Sequence, residues 1–303
     1  MKASMIEIDK YISILMKGPF GFGKTLAAAS FAILGPTYIA YFDKKKPIEL
    51  VKYFTKERFG DLAAKILDNI EFDVYGGNNA HEYLNKVIRF QDDCRYMTFI
   101  TDSVTNLTAS AVNWSMGFRD PKGGKKDEKN KNAPQMVPDF DEYKIETSIV
   151  SQALDLQKNL PCNIIWIAHP LPTLKIEGSG KSMTVSKTNS IVTYGSKVAG
   201  MIPGNFTEIY HFSQRSMWDQ ATGKGSKRYI VNVEAIGDEF AKSPLLADTI
   251  KELDITDKLF YQVWKAAIDR SLGKEPIEPT TSQLVNPFQP NNAATDGWKP
   301  LGK

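Results

Sequence analysis

Apolar positions recur in two rhythms along this chain. Tyr11 to Lys17 (YISILMK), Thr37 to Asp43 (TYIAYFD), the EFDVYGG stretch, Tyr96 to Ser103 (YMTFITDS) and Asn163 to Pro170 (NIIWIAHP) are short β-prone runs, most of them nearly continuous. Between them lie stretches of helical character: Leu26 to Leu34, Ile48 to about Phe59, Asp61 to Leu67, Asn79 to Cys94, a segment beginning near Val104, and Tyr143 to Asn159. Continuous β-branched runs alternating with helices describe parallel strands covered on both faces. The pattern predicts an α/β fold.

The texture changes after Leu171. LPTLKIEGSGKSMTVSKTNSIV reads as two alternating strands around a Gly-Ser-Gly-Lys turn, a hairpin. Thr207 to Gln214 (TEIYHFSQ) and Lys227 to Ala235 (KRYIVNVEA), joined through DQATGKGS, read as a second hairpin, and an amphipathic helix runs from about Ile255 to Leu272. Beyond Gly273 five prolines and little periodicity predict a disordered tail, 273–303. One domain over 1–272 is expected, with insertions at about 114–138 and 170–203 and no internal repeat.

Composition narrows this only a little. The 303 residues are 42% hydrophobic and 24% charged, which excludes wholesale disorder and rod-like repeats. With 38 basic and 35 acidic residues, affinity for nucleic acid has to come from local patches rather than a global field. Cys94 and Cys162 are too few and too far apart for a disulfide framework or a four-ligand zinc site, which fits a reducing, cytoplasmic setting. No run approaches the roughly 20 apolar residues of a membrane span, so no membrane partner is expected.

The chemistry is written near the amino end. Gly18-Pro19-Phe20-Gly21-Phe22-Gly23-Lys24-Thr25, running into Leu26, fills every fixed position of the phosphate-binding pattern G-x-x-x-x-G-K-[ST]. A β-prone run precedes it and a helical one follows, as the pattern requires. Glycines let backbone N–H groups turn inward around phosphates, and the start of the helix favours an anion. Lys24 is expected to bridge the β- and γ-phosphates of ATP, and the Thr25 hydroxyl to ligate Mg²⁺. Asp102, closing YMTFITDS, is the candidate second acid for the metal, with helix capping as its structural alternative. His169, ending the next core strand, is placed to sense the γ-phosphate and pass its presence to the following loop. Asp43, after the second strand, could orient the attacking water or could simply pair with Lys44 to Lys46.

These features, with the DS-T segment at Asp102, Ser103 and Thr105 and the AKS segment at Ala241 to Ser243, resemble phage-encoded RecA-like, AAA-type P-loop ATPases. The likeness is to nucleotide-binding phage proteins that include short relatives of the RecA-type recombinases, and it spans about Tyr11 to Leu253. It implies a twisted RecA-like core, ATP hydrolysis, homo-oligomers with nucleotide at subunit interfaces, and action on single-stranded DNA in recombination, annealing or repair, in a bacterial host cytoplasm. Two positions depart from the family. Asp43-Lys44-Lys45-Lys46 stands where a glutamate usually follows the second core strand, and Lys242-Ser243-Pro244 keeps the lysine of a trans-acting Lys-x-Arg pair without its arginine.

In such folds the connections after the metal strand and the sensor strand line the DNA path. Here the first holds RDPKGGKKDEKNK between Trp114 and Pro138, and the second carries Lys175, Lys181, Lys187 and Lys197 against Glu177. Lysines with nearby aromatics suit single strands of any sequence, and two solvated insertions are the plain alternative. The tail could dock a protein partner through Phe288 or Trp298. Two other classes stay open: a P-loop kinase for a small acceptor, although Arg119, Arg215 and Arg228 form no cluster, and a nucleotide-gated scaffold that does not hydrolyse.

Overall fold

The computed structural model describes residues 11–43, 47–118, 138, 140–177, 184–219, 224–235, 241–246 and 250–274. The Lys44 to Lys46 run, most of the first connection (119–137), Lys181, the side chains of Lys175 and Lys187, and the tail with Phe288 and Trp298 lie outside the described residues.

Each apolar run found in the first part of the chain is a strand: β1 (Ser13–Lys17), β2 (Thr37–Tyr41), β3 (Ile70–Val74), β4 (Thr98–Asp102) and β5 (Asn163–Ala168). The helical stretches between them are α1 (Lys24–Ala29), α2 (Ile48–Tyr53), α3 (Lys56–Phe59), α4 (Asp61–Asp68), α5 (Ala80–Asp92), α6 (Val104–Met116) and α7 (Phe140–Lys158). The two hairpins are β6 (Pro170–Glu177) with β7 (Thr184–Ile191), and β8 (Glu208–Asp219) with β9 (Lys224–Asn232). A short helix α8 (Ser196–Met201) separates them, and β10 (Glu252–Asp254) and α9 (Phe260–Ser271) complete the described elements.

The main sheet has the order β10-β9-β8-β1-β5-β4-β2-β3. Strands β3, β2, β4, β5, β1 and β8 run parallel, and β9 and β10 add an antiparallel edge. The strand leading into the P-loop is thus flanked by β5 and β8, with the strand ending in Asp102 one position further away. This is an α/β core, a mostly parallel sheet with helices on both faces and antiparallel strands at its C-terminal end. Alternate side chains of each strand enter different halves of the core. Ile14, Met16, Ile39, Ile100, Ile165 and Ile167 face α1, α4 and α9, whereas Leu15, Tyr38, Phe99, Ile164 and Trp166 face α5, α6 and α7. Period-two alternation inside an almost wholly apolar run is what two covered faces demand.

Four details differ from the pattern reading. The helix after the P-loop is α-helical only to Ala29 and continues as a 3₁₀ turn over Ser30–Ile33. The stretch 48–59 is broken in two at Phe54 and Thr55. The final helix starts at Phe260 rather than Ile255, because Ile255 and Thr256 continue the bonding to β9 through Tyr229. Most consequential, Thr207 to Gln214 is more than half of a hairpin: Glu208 to His211 pair in parallel with Ile14 to Lys17, so β8 is also a core strand. Its Ile209, Tyr210 and Phe212 are all buried, the mark of a strand covered on both sides.

Glu208 fastens the chain that returns over this edge. Its carboxylate, 1% exposed, accepts hydrogen bonds from Ser243 Oγ (2.5 Å), Tyr210 Oη (2.8 Å) and the Leu245 N–H (3.4 Å). Burial raises its pKa, so its contribution to stability falls as pH rises through the folded value. Glu208→Ala leaves three donors without their acceptor and is expected to lower unfolding free energy by about 2–4 kcal/mol. Glu208→Gln, which keeps two acceptor geometries, should lose less. Urea melts of the two variants check this, and equal losses would assign the effect to packing alone.

Candidate nucleotide-binding site

The P-loop leaves the sheet at Lys17 and meets its helix at Lys24. Gly23, the residue before α1, has φ of 82°, in the left-handed region where a Cβ is strained. Gly18 is required for a different reason: a Cβ there would lie 2.6 Å from the Phe212 carbonyl oxygen of β8. The loop can therefore begin only where its backbone is bare.

Lys24 is 4% exposed, and its Nζ donates to the carbonyls of Gly18 and Pro19, both at 2.7 Å. It also lies 3.4 Å from His169 Nδ1. Burial lowers the ammonium pKa to about 8, partly opposed by the negative charge of Asp102. His169 is pushed down to about 4 by burial and then by the Lys24 charge, so at neutral pH the ring is uncharged and Nδ1 can accept from Lys24. Phe20, 73% exposed, stacks on the His169 ring with centroids 3.6 Å apart.

At the next position of α1, Thr25 Oγ1 donates to Asp102 Oδ2 at 2.6 Å. Asp102 is 5% exposed, and burial raises its pKa to about 6; the Thr25 bond opposes that shift, and the charges of Asp43 and Glu49 add to it. The Asp102–Ser103 peptide bond is cis. Ser103 Oγ is buried and has no hydrogen-bond partner among the described residues. No side-chain cap from Ser103 is made to α6, and Asp102 is engaged with Thr25 instead. A hydroxyl and a carboxylate in contact, repelled by two further carboxylates, form a hard-oxygen donor set that suits Mg²⁺. The residues present fit that ion.

Of the other expected site residues, Asp43 is exposed and accepts a hydrogen bond from Asn106 Nδ2. It lines an open groove of about 960 Å³ with Tyr41, Glu49, Lys52, Asn106 and Asn113. Leu26 and Phe22 pack against the core beneath the loop. Lys242 stands apart from this group. Its backbone bridges Ile209 on the edge of β8 away from β1, two residues before the strand reaches the P-loop level at His211.

Glu49 is the site residue that pattern reading missed. It sits in the first turn of α2, accepts from Tyr41 Oη at 3.1 Å, and shares the groove with Asp43. A glutamate thus follows the second strand eight positions beyond Tyr41 rather than next to it. An acid in the first turn of the helix after that strand was the available signal.

No family model and no curated protein matches the chain. Among solved structures it is similar to a KaiC-like protein from the hyperthermophilic archaeon Pyrococcus horikoshii. The identity is 11%, the alignment covers 80% of this chain and 84% of that one, and the TM-score is 0.42. Strand order and register establish the fold class without it. Among the described residues, no helix is long and apolar enough to cross a membrane.

Proposed function

We propose that the protein binds ATP with Mg²⁺ in the loop 18–25, hydrolyses it, and couples that cycle to single-stranded DNA. The observation behind this reading is the convergence of Lys24, the Thr25–Asp102 pair and neutral His169 at one end of three adjacent parallel strands. A phosphate entering the loop replaces the Gly18 and Pro19 carbonyls as acceptor of the Lys24 ammonium, a charge-assisted bond in place of neutral ones. Thr25 and Asp102 would hold the metal, whose role when bound is to neutralise charge on the β- and γ-phosphate oxygens. Asp43 and Glu49, facing the groove beside Asp102, are the acids available to orient the attacking water.

His169 supports a sensing role because its carbonyl accepts from the Val192 N–H at 2.8 Å, which ties it to both ends of the β6–β7 hairpin. In the second connection Lys197 is exposed on α8. Its place, with the basic first connection, supports contact with a phosphate backbone. Lys242, exposed on an outer edge, would serve a neighbouring copy's site rather than its own. Recombination, annealing or repair of phage DNA is the cellular role that the family likeness implies.

The open groove beside Asp43 favours a second reading, transfer of the γ-phosphate to a small acceptor. Both are tested by following labelled γ-phosphate with Mg²⁺, with and without an oligonucleotide. Release as inorganic phosphate, several-fold faster with single-stranded than with duplex DNA, is expected. Label appearing in another product selects the kinase, and no release with tight ATP binding selects a non-hydrolysing scaffold.

A further inference from the structure

The β8–β9 hairpin runs far past the sheet that anchors it. β8 pairs with β1 only as far as His211, while the pairing with β9 continues from Phe212 to Asp219, an overhang of roughly 26 Å at about 3.3 Å per residue. Because β8 is parallel to β1, the overhang leaves the sheet at the P-loop end, beside Gly18.

Cross-strand register sorts its side chains into two faces. One bears Arg215 opposite Arg228, and both are neutralised: Arg215 by Glu252 at 2.5 Å and Arg228 by Asp254 at 3.4 Å. The other face starts in the core with Phe212 and Val231 and continues through Gln214 and Tyr229, Ser216 and Lys227, and Trp218 and Gly225. Trp218 is 69% exposed. Its six-membered ring lies alongside Gly225, where even an added Cβ would only reach ordinary contact at 3.6 Å, so no cross-strand side chain covers the indole. Lys227, one step back on the same face, is exposed and makes no ion pair among the described residues, and that face bears no acid there.

We infer that Trp218 and Lys227 form a single-stranded nucleic-acid contact, the indole stacking on a base and the ammonium meeting a neighbouring phosphate. A protein partner would need an apolar cluster around the indole, but its neighbours on that face are glycine, serine and lysine, and Met217 points to the opposite face. An exposed aromatic next to a cation that has no ion pair among the described residues suits any base sequence. The inference rests on the DNA half of the proposed function and not on its nucleotide half.

The test is fluorescence anisotropy of a labelled oligothymidylate against the full chain, with ATP and Mg²⁺, at several salt concentrations. Trp218→Ala is expected to bind at least about fivefold more weakly, and Trp218→Phe to keep most of the affinity. Lys227→Ala should flatten the slope of log affinity against log salt by about 0.7. Hydrolysis without oligonucleotide should be unchanged in all three, which also shows that they fold. Wild-type affinity in Trp218→Ala overturns the inference, as does a change in its sedimentation with no change in oligonucleotide affinity, which would assign the indole to a protein contact. A wild-type protein that binds ATP but no oligonucleotide removes this inference and the DNA reading together and leaves the nucleotide reading standing.

Discussion

Lys24→Ala is expected to lower the proposed ATP turnover by on the order of 100- to 1,000-fold without unfolding the protein. The lysine is the cation of the loop, and its Nζ is already placed over the Gly18 and Pro19 carbonyls, so its removal takes away charge that the transferring phosphoryl group needs. The effect on the fold runs the other way. Burial holds the Lys24 pKa at about 8 instead of 10.5, so keeping the ammonium charged at pH 7 costs the folded state on the order of 3 kcal/mol. The folded form sheds its proton first, so wild-type protein gains stability from this group as pH rises from about 8 towards 10.5. Lys24→Ala lacks that gain. Its melting temperature at pH 7 should stay within a few degrees of wild type, the relieved charge offsetting the lost packing of the stem. Undiminished hydrolysis, with calorimetry showing a folded protein, would refute the site.

Asp102→Asn is expected to separate metal from nucleotide. An amide oxygen can still accept the Thr25 hydroxyl, so the hydrogen bond at 2.6 Å and the local packing survive. What is lost is the negative charge that a divalent ion requires. Turnover at limiting Mg²⁺ should fall at least about 100-fold, while nucleotide binding measured in chelator changes only a few-fold. The variant without nucleotide should also be the more stable at pH 7, because burial places the Asp102 pKa at about 6 and makes its carboxylate unfavourable in the fold. That advantage shrinks as pH falls through 6, where wild type takes up the proton. Equal losses of turnover and chelator-resistant binding would count against a metal role.

The parts of this site that could be read from the sequence are those whose signal is local. A glycine spacing, a lysine and a threonine specify a loop without reference to any other segment, and Asp102 and His169 each end a run whose apolar continuity marks a central strand. What pattern reading could not see depends on partners distant in the chain. β8 looked like half of a hairpin because period-two alternation reports burial but not which strand lies alongside, and its pairing with β1 joins residues 194 positions apart. Glu49 was hidden because its place beside Asp43 depends on α2 bringing its first turn back over Tyr41, beyond an intervening lysine run. The Phe20–His169 stack had no sequence signal, since the aromatic position in the loop is one that the phosphate pattern leaves free.

The excursion after β5 closes on itself. It departs at His169 and returns at Val192, where one N–H donates back to the carbonyl at the point of departure, with Pro170 opposite Ile191 as the first rung. The gap that the scaffold has to bridge at this place is therefore the same whatever lies between those two residues. Inserting or deleting paired residues in the middle alters the reach of the appendage but leaves the distance between its roots, and so the closure demanded of the sheet, untouched. Evolution can retune this appendage as a cassette without renegotiating the platform that bears it.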